Sequence, residues 1–522
     1  MERFIARHSA AVIGVLSGFD RLVLRGTLRS LAHHAGMSVY LSTVRVLLKS
    51  FAQYAMKLSD ELKEASQAVA LEAGRPIRYL ASGGTNKEAI AREIAATDGI
   101  EQGLICVLRS VEPCWSYQIV RNARSRRLEL QPRLRKCLYL YHYLIDPTFG
   151  FMNARIQTWF PFTIQICING REWLARQMDT AGLAYTRCDN CFLRLADCRD
   201  AQRLMDQQLK AAWPELLDAI ARRLNPRHEA MFADYPIQYY WSVHQSEWAT
   251  DLMFRDAASL GALYPKLVHH GLTSFFSPDV LRFLGRKIPA CGRLPHALTA
   301  EVVSSLKTRP EGVRIKHRLG ENSVKMYDKQ GSVLRVETTI NDPHGFKAFR
   351  TPEGKPDAPQ AWHKLRRGIA DLHRRAELSQ AANERYLQAL ASVDDSRSLG
   401  ALTSRVCRPV FHNARRFRPV NPFAPDDAKL IQAVSRGEFA INGFRNRDLR
   451  RLLFADDAAP HHDQRRHAAA VSRRLALLRA HGLIKKVPKS HRYHLSAEGR
   501  VLVTALLAAA NATTQTLTKL AA

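Results

Sequence analysis

The alternation of apolar and polar positions is clearest between Gly312 and Asp342, where it has a period of two and predicts three consecutive strands. Val313, Ile315 and His317 alternate with Arg314, Lys316 and Arg318. Val324 and Met326 alternate with Lys325 and Tyr327, and Leu334, Val336, Thr338 and Ile340 alternate with Arg335, Glu337 and Thr339. A loop at Lys329, Gln330 and Gly331 would pair Met326 with Leu334, Val324 with Val336 and Lys325 with Arg335. A loop at Leu319–Asn322 pairs Lys316 with Lys325. Both loops put the apolar residues on one face and a row Lys316, Lys325, Arg335 on the other. Directly opposed like charges destabilise a sheet, so the row reads either as a face that tracks phosphates or as a solvated face partly neutralised by Glu337, the only acid, diagonal to Lys325.

Elsewhere the pattern is mixed. Residues 1–110 alternate strand and helix, with strands near Val12–Leu28, Pro76–Leu80 and Gly103–Leu108, which predicts an α/β unit with a parallel or mixed sheet. Residues 111–200 are aromatic-rich and predict a hairpin turning at Asp146–Gly150 and a helix from Arg171. Tyr139, Tyr141, Tyr143, Trp159, Phe160 and Phe162 either line a core or offer stacking planes to bases. Residues 201–400 read as helical around the meander at 312–342. They include YYWSVHQSEWATDLMF, whose Glu247 and Asp251 would share a helix face with His244, and helices at Trp362–Glu377 and Ser379–Ser392. Residues 408–425 read as a basic, Pro-containing linker, and 426–522 as a last module.

In that module a helix Asp427–Arg436 precedes NGFRNRDLRRLLF, with Asn446 as N-cap, and a third helix runs through Ala468–Ala480. Gly482 stops it, and two short strands flank a basic loop. Val471, Leu475 and Leu478 fall on one side of the third helix; His462, Arg466, Ala469, Arg473 and Ala476 fall on the other. Arg466 and Arg473 could then reach bases or phosphates, with Lys485, Lys486, Lys489 and Arg492 on the backbone. The order, and the phrase LRAHGLIKK…RYHLSAEGR, resemble the third helix and wing of a MarR-like winged helix-turn-helix. FDRLVLRG, TWFPF, NGREWLARQ, KMYDK and GFRNRDLR together resemble a bacterial family of uncharacterised proteins with such a tail, a resemblance that implies no activity. The expected fold is thus α+β / α/β and multidomain: an N-terminal α/β unit, a central antiparallel meander with helices, and a C-terminal winged helix.

Charge sharpens the functional reading. The 522 residues carry 78 Lys and Arg against 48 Asp and Glu, a formal charge of +30, so a polyanionic partner is expected. Nucleic acid is favoured over an anionic membrane because no long basic amphipathic helix, no lipidation signal and no uncharged apolar run long enough to span is visible. Composition does not separate DNA from RNA, and DNA is favoured by the winged-helix resemblance of the last module. The apolar run Ala10–Gly18 lacks a signal-peptide cleavage site, and nine scattered cysteines suit a reduced, cytoplasmic protein. A homodimer is a candidate assembly.

Three function classes remain: a DNA-binding protein whose basic body tracks the backbone, an RNA-binding protein, and an enzyme of mobile-element type, either a metal-dependent nuclease or transposase or a tyrosine nickase. For the metal-dependent case, with Mg²⁺ or Mn²⁺, the candidate carboxylates are Asp20, Glu112, Asp146, Glu247 and Asp251. MYDK…LRVE resembles strands of rolling-circle replication initiators, which would make Tyr327 the nucleophile, but the paired-histidine metal motif of that class is missing. Cys188-x-x-Cys191 with Cys198 lacks the second pair that a structural zinc site needs. SGGTNKEAIARE sets a glycine pair before a helix that could take a phosphate, but it lacks the GxxxxGK[ST] pattern of a nucleotide loop and reads as a capped loop.

Overall fold

The computed structural model describes residues 1–273, 275, 277–286, 302–309, 312–352, 355, 357–391, 399–436, 439, 443–454, 461–487 and 490–511. Its frame is one eleven-stranded sheet. The strands are β1 (Val12–Leu28), β2 (Ile77–Leu80), β3 (Gly103–Arg121), β4 (Leu128–Asp146), β5 (Gly150–Gln157), β6 (Ile164–Asn169), β9 (Tyr239–Phe254), β10 (Val302–Arg309), β11 (Gly312–Leu319), β12 (Asn322–Lys329) and β13 (Val333–Ile340). A separate hairpin joins β7 (Tyr185–Cys188) to β8 (Cys191–Leu195). The sheet order is β10-β11-β12-β13-β9-β1-β6-β5-β4-β3-β2.

This order corrects the expected divisions. The boundaries at 110 and 200 do not separate units, because strands from all three segments hydrogen-bond into the same sheet. The expected parallel character is confined to β2 beside β3; the other nine neighbouring pairs of the sheet are antiparallel.

The stretch read as a helix around Glu247 is β9, a central strand. Trp248, Thr250, Leu252 and Phe254 alternate with Glu247, Ala249, Asp251 and Met253, a period-two pattern rich in aromatic and apolar residues. Residues four apart share a side in either structure, so Glu247 and Asp251 remain together. His244 does not join them: the pairing of β9 with β1 steps from Gln245 to Val243, leaving it in a bulge. Trp362 likewise lies in a short strand, and a single helix, Leu372–Leu390, replaces the two expected beyond it.

The meander forms as three strands, with Lys316 opposite Lys325. Between β12 and β13, however, Lys329 pairs with Val333, so Met326 faces Val336 and Lys325 faces Glu337 rather than Arg335. Gln330 and Gly331 both take positive φ, the conformation that closes this turn. A register change of two residues preserves sidedness. Val324, Met326, Leu334 and Val336 therefore still share a face and pack on Tyr386, Leu387 and Leu390 of the Leu372–Leu390 helix.

The aromatic segment is core. Tyr139, Tyr143, Phe160 and Phe162 are buried, so they are not stacking planes for bases. At the other end, helices Pro425–Ser435, Asn446–Phe454 and His461–Ala480 pack with a hairpin Ile484–Lys486/Tyr493–Leu495 and a helix Ala497–Asn511 around their own core. Val406, Phe417 and Val420 join that core, so residues 408–425 belong to the module and are not a detached linker. Asn446 does not cap its helix; its amide donates to Ala468 O and Ser472 Oγ. No helix among the described residues is long and apolar enough to cross a membrane.

Candidate functional site

The face of β12, β13, β9 and β1 opposite the Leu372–Leu390 helix carries a dense group of charges. Alternation places Lys325 and Tyr327, then Arg335, Glu337 and Thr339, then Glu247 and Asp251 on this side. Asp20 arrives by an irregularity: Phe19 pairs with Trp248 and Arg21 with Glu247, so Asp20 is the extra residue of a β-bulge, a feature that redirects side chains.

Arg335 is the centre. It is fully buried, its Nε donates to Asp251 Oδ1 at 2.5 Å and its Nη2 to Asp251 Oδ2 at 2.8 Å, a forked pair. Its Nη1 donates to Asp20 Oδ1 at 3.0 Å, and Nη2 also reaches Asn190 O at 2.8 Å. Arg171 Nη2 donates to Asp251 Oδ2 at 2.9 Å from the first turn of the helix Gly170–Ala181. That turn lies against β1 because Gly170 has no side chain: a Cβ there would stand 1.8 Å from Phe19 O. The β7–β8 tip closes one side, Asn190 donating to both Asp20 oxygens at 3.2 and 3.3 Å and Asp189 accepting from Lys329 at 3.2 Å.

Lys325 serves two carboxylates. Its Nζ donates to Glu337 and, at 3.4 Å, to Glu247, while the Tyr327 hydroxyl donates to Glu337 Oε2 at 2.7 Å. One oxygen from each of Asp20, Glu247 and Glu337 lies within 4.8 Å of the others, an arrangement able to hold a metal ion. The donors are all carboxylate oxygens, the chemistry that suits Mg²⁺ or Mn²⁺. Glu247 is the partly exposed member.

The charges do not balance. Asp20, Asp251, Glu247 and Glu337 meet three directly bonded cations: Arg171, Lys325 and Arg335. Burial pushes the Asp20 carboxyl above its ordinary range despite Arg335, and burial together with the Glu337 charge does the same to Glu247. Burial opposes ionisation of Glu337 and Asp251 too, but Lys325, Tyr327 and Arg335 together outweigh it at the first and Arg335 with Arg171 at the second, so both are held low. Tyr327 is pushed well up by burial and by Glu337. Thr339, directly opposite Glu247 and buried, has a hydroxyl without a hydrogen-bond partner.

Of the sequence candidates, Asp20, Glu247 and Asp251 thus converge. Glu112 belongs to a different network, accepting from Tyr141 at 2.6 Å and pairing with Arg155 at 2.9 Å and Lys87 at 3.2 Å. Asp146 accepts from the backbone of Thr148 and Phe149 and pairs with Arg223, a turn-stabilising role. Tyr327 is buried, not on an open face, and its phenol is held protonated, the opposite of a nucleophile's need. The expected row of free cations is corrected likewise: Lys325 and Arg335 are buried and fully engaged, leaving Arg314 and Lys316 half-exposed beside them.

Glu337 was expected only as a neutralising acid, and Arg171, Asn190 and Thr339 were not anticipated. The signal for Glu337 and Arg335 was two opposite charges two apart in a strand whose other residues suit a core. No cysteine belongs to a metal-holding group among the described residues.

In the C-terminal module Val471, Leu475 and Leu478 are buried, and His462, Arg465, Arg466, Ala469, Ser472 and Arg473 are exposed. Arg466 is 3.3 Å from Asp463, Lys485 and Lys486 are exposed, Arg492 is half-buried, and Lys489 lies outside the described residues. Comparison with known proteins finds no matching family model, no matching curated protein and no matching solved structure.

Proposed function

We propose that this protein binds duplex DNA through its C-terminal module, used as a winged helix, with the basic body contributing backbone contacts. The observation that carries the reading is the third helix, His461–Ala480, which buries one apolar side in the module's own core and leaves Arg465, Arg466 and Arg473 exposed along the other. Ala469 and Ser472 between them are small, which lets a helix approach a groove. A bridge between Phe444 and Tyr493 adds a third extended segment to the hairpin, as a wing requires. The test is full-length protein carrying Arg466→Ala and Arg473→Ala, titrated against a site selected from random duplexes and against random duplex. Base-reading arginines predict a loss at the selected site larger by about tenfold, since a forked base contact discriminates by about 1–3 kcal/mol. Equal losses would reduce the helix to phosphate contact.

A second reading, metal-dependent phosphodiester cleavage of the nuclease or transposase kind, is favoured by the convergence of Asp20, Glu247 and Glu337. There Lys325 would offer a charge to a developing oxyanion, and Arg314 and Lys316 would receive flanking phosphates. Its test is cleavage of single-stranded and duplex substrates with Mg²⁺ or Mn²⁺ by wild type and by Glu247→Gln. Intact substrates under both metals would remove it. The tyrosine-nickase alternative has no support from a phenol that donates to Glu337.

A further inference from the structure

A small hairpin that follows β13 in the chain exposes an unusual combination of groups. It consists of β14 (Lys347–Arg350) and β15 (Ala361–Lys364). Phe349 stands directly opposite Trp362, the two are 51% and 56% exposed, and their ring centroids are 5.4 Å apart. Alternation puts Lys347 and Lys364, which are also directly opposite each other, on the same face. Both are exposed, and neither has an acidic partner among the described residues. The Arg374 guanidinium lies 5.4 Å from the Trp362 ring centroid, with Glu377 as its partner.

Packing does not account for these rings. The hairpin is anchored by its opposite face, where Ala348 is buried with Ile340, Phe346 and Leu365. Opposed lysines destabilise a sheet, and two exposed rings gain nothing from water. Both costs are removed by one kind of ligand, an anion that carries flat apolar faces.

We infer that this hairpin binds single-stranded nucleic acid, with one base on Phe349, its neighbour on Trp362, and the phosphates against Lys347, Lys364 and Arg374. Unpaired bases present their ring faces, whereas a duplex hides them in its stack, so the surface selects single strands. An anionic membrane is the less suitable partner, since Ala361 is the only other exposed apolar residue of the two strands. The site is independent of the C-terminal module and remains if the winged-helix reading fails.

The experiment uses the full chain, a labelled oligothymidylate of about a dozen nucleotides, a labelled random duplex, and vesicles of phosphatidylserine and phosphatidylcholine. Phe349→Leu with Trp362→Leu should weaken oligothymidylate binding by about tenfold or more, with duplex binding unchanged. Lys347→Gln with Lys364→Gln should weaken it and make its log–log salt dependence shallower by about 1.4, two single-strand phosphate contacts. Since all four side chains are exposed, unchanged melting curves should accompany both losses. Unchanged oligothymidylate binding in the ring variant overturns the inference, as do equal losses on single strand and duplex. Vesicle binding that depends on the rings, without an effect on oligothymidylate, assigns the surface to membrane and equally overturns it.

Discussion

Replacing Lys325 by methionine tests whether the site is an internal charge network or an open cationic face. The ammonium bridges Glu337, whose side chain is 2% exposed, and Glu247, at 15%. Without it Glu337 keeps the Tyr327 hydroxyl and Glu247 keeps the Gln245 amide, both neutral. Breaking a buried pair by removing one partner costs about 3–5 kcal/mol. The carboxyl can escape by taking up a proton, which for a group of ordinary pKa costs about 4 kcal/mol at pH 7 and about 1 kcal/mol at pH 5.

The deficit should therefore be about 4 kcal/mol at pH 7 and shrink to about 1 kcal/mol at pH 5. The sign follows from linkage. In wild type Glu337 is held low and contributes stability at neutral pH; in the variant it is raised, the folded state binds the extra proton, and stability rises as pH falls. Urea unfolding followed by tryptophan fluorescence at the two pH values measures this, and Lys325→Met with Glu337→Gln should recover most of the loss at pH 7. A deficit below about 1 kcal/mol, or one that is the same at both pH values, would show that Lys325 is an exposed cation available to phosphates.

Arg335→Lys should lower stability by at least about 2 kcal/mol, because an ammonium cannot reproduce the fork on Asp251 together with the contacts to Asp20 and Asn190; a melting temperature within error of wild type would contradict the geometry. Two buried imidazoles add to the acid sensitivity of the fold: burial lowers His142, bonded to Ser66, and His317, bonded to Ser304 and Tyr386, each from 6.5 to about 4. Their folded pKa is depressed, so their contribution is complete above pH 6.5 and is lost as pH falls toward 4, at about 3 kcal/mol each. His142→Gln or His317→Gln should flatten the slope of unfolding free energy against pH in that window.

The sequence exposes what depends on local period and hides what depends on topology. The faces of the meander are legible because a two-residue register change leaves every side chain on its side; the partner of Lys325 is not, since that same change exchanges Arg335 for Glu337. Glu247 and Asp251 could be grouped even under a helical reading, because a spacing of four keeps residues together in both helix and strand. Asp20 is recognisable as an acid in an apolar strand, yet its meeting with Arg335, 315 residues away, follows from β13, β9 and β1 lying side by side. The bulge that brings it there leaves no mark in the alternation. The aromatic run 139–162 suggested stacking because its letters suit core and ligand equally, and only its burial separates them.

The imbalance at the cluster also separates a structural network from a ligand site. If all four carboxylates served stability, removing any one should harm the fold. Asp20 is raised by burial, so its charged form is disfavoured in the native state, and at neutral pH its ionisation works against folding: the contribution is favourable at low pH and lost as pH rises. Asp20→Asn removes that penalty, while Arg335 retains both Asp251 oxygens and Asn190 O. Stability at pH 7 should then be unchanged or raised by up to about 1 kcal/mol, in contrast to the loss at Lys325, although a carboxylate has been taken from a buried cluster. Calorimetric Mn²⁺ titration of the same variant should show weakened binding, the trade expected when a residue is kept for a ligand and not for the fold. A strong fall in melting temperature with Mn²⁺ affinity intact would instead make Asp20 a structural counter-ion of Arg335.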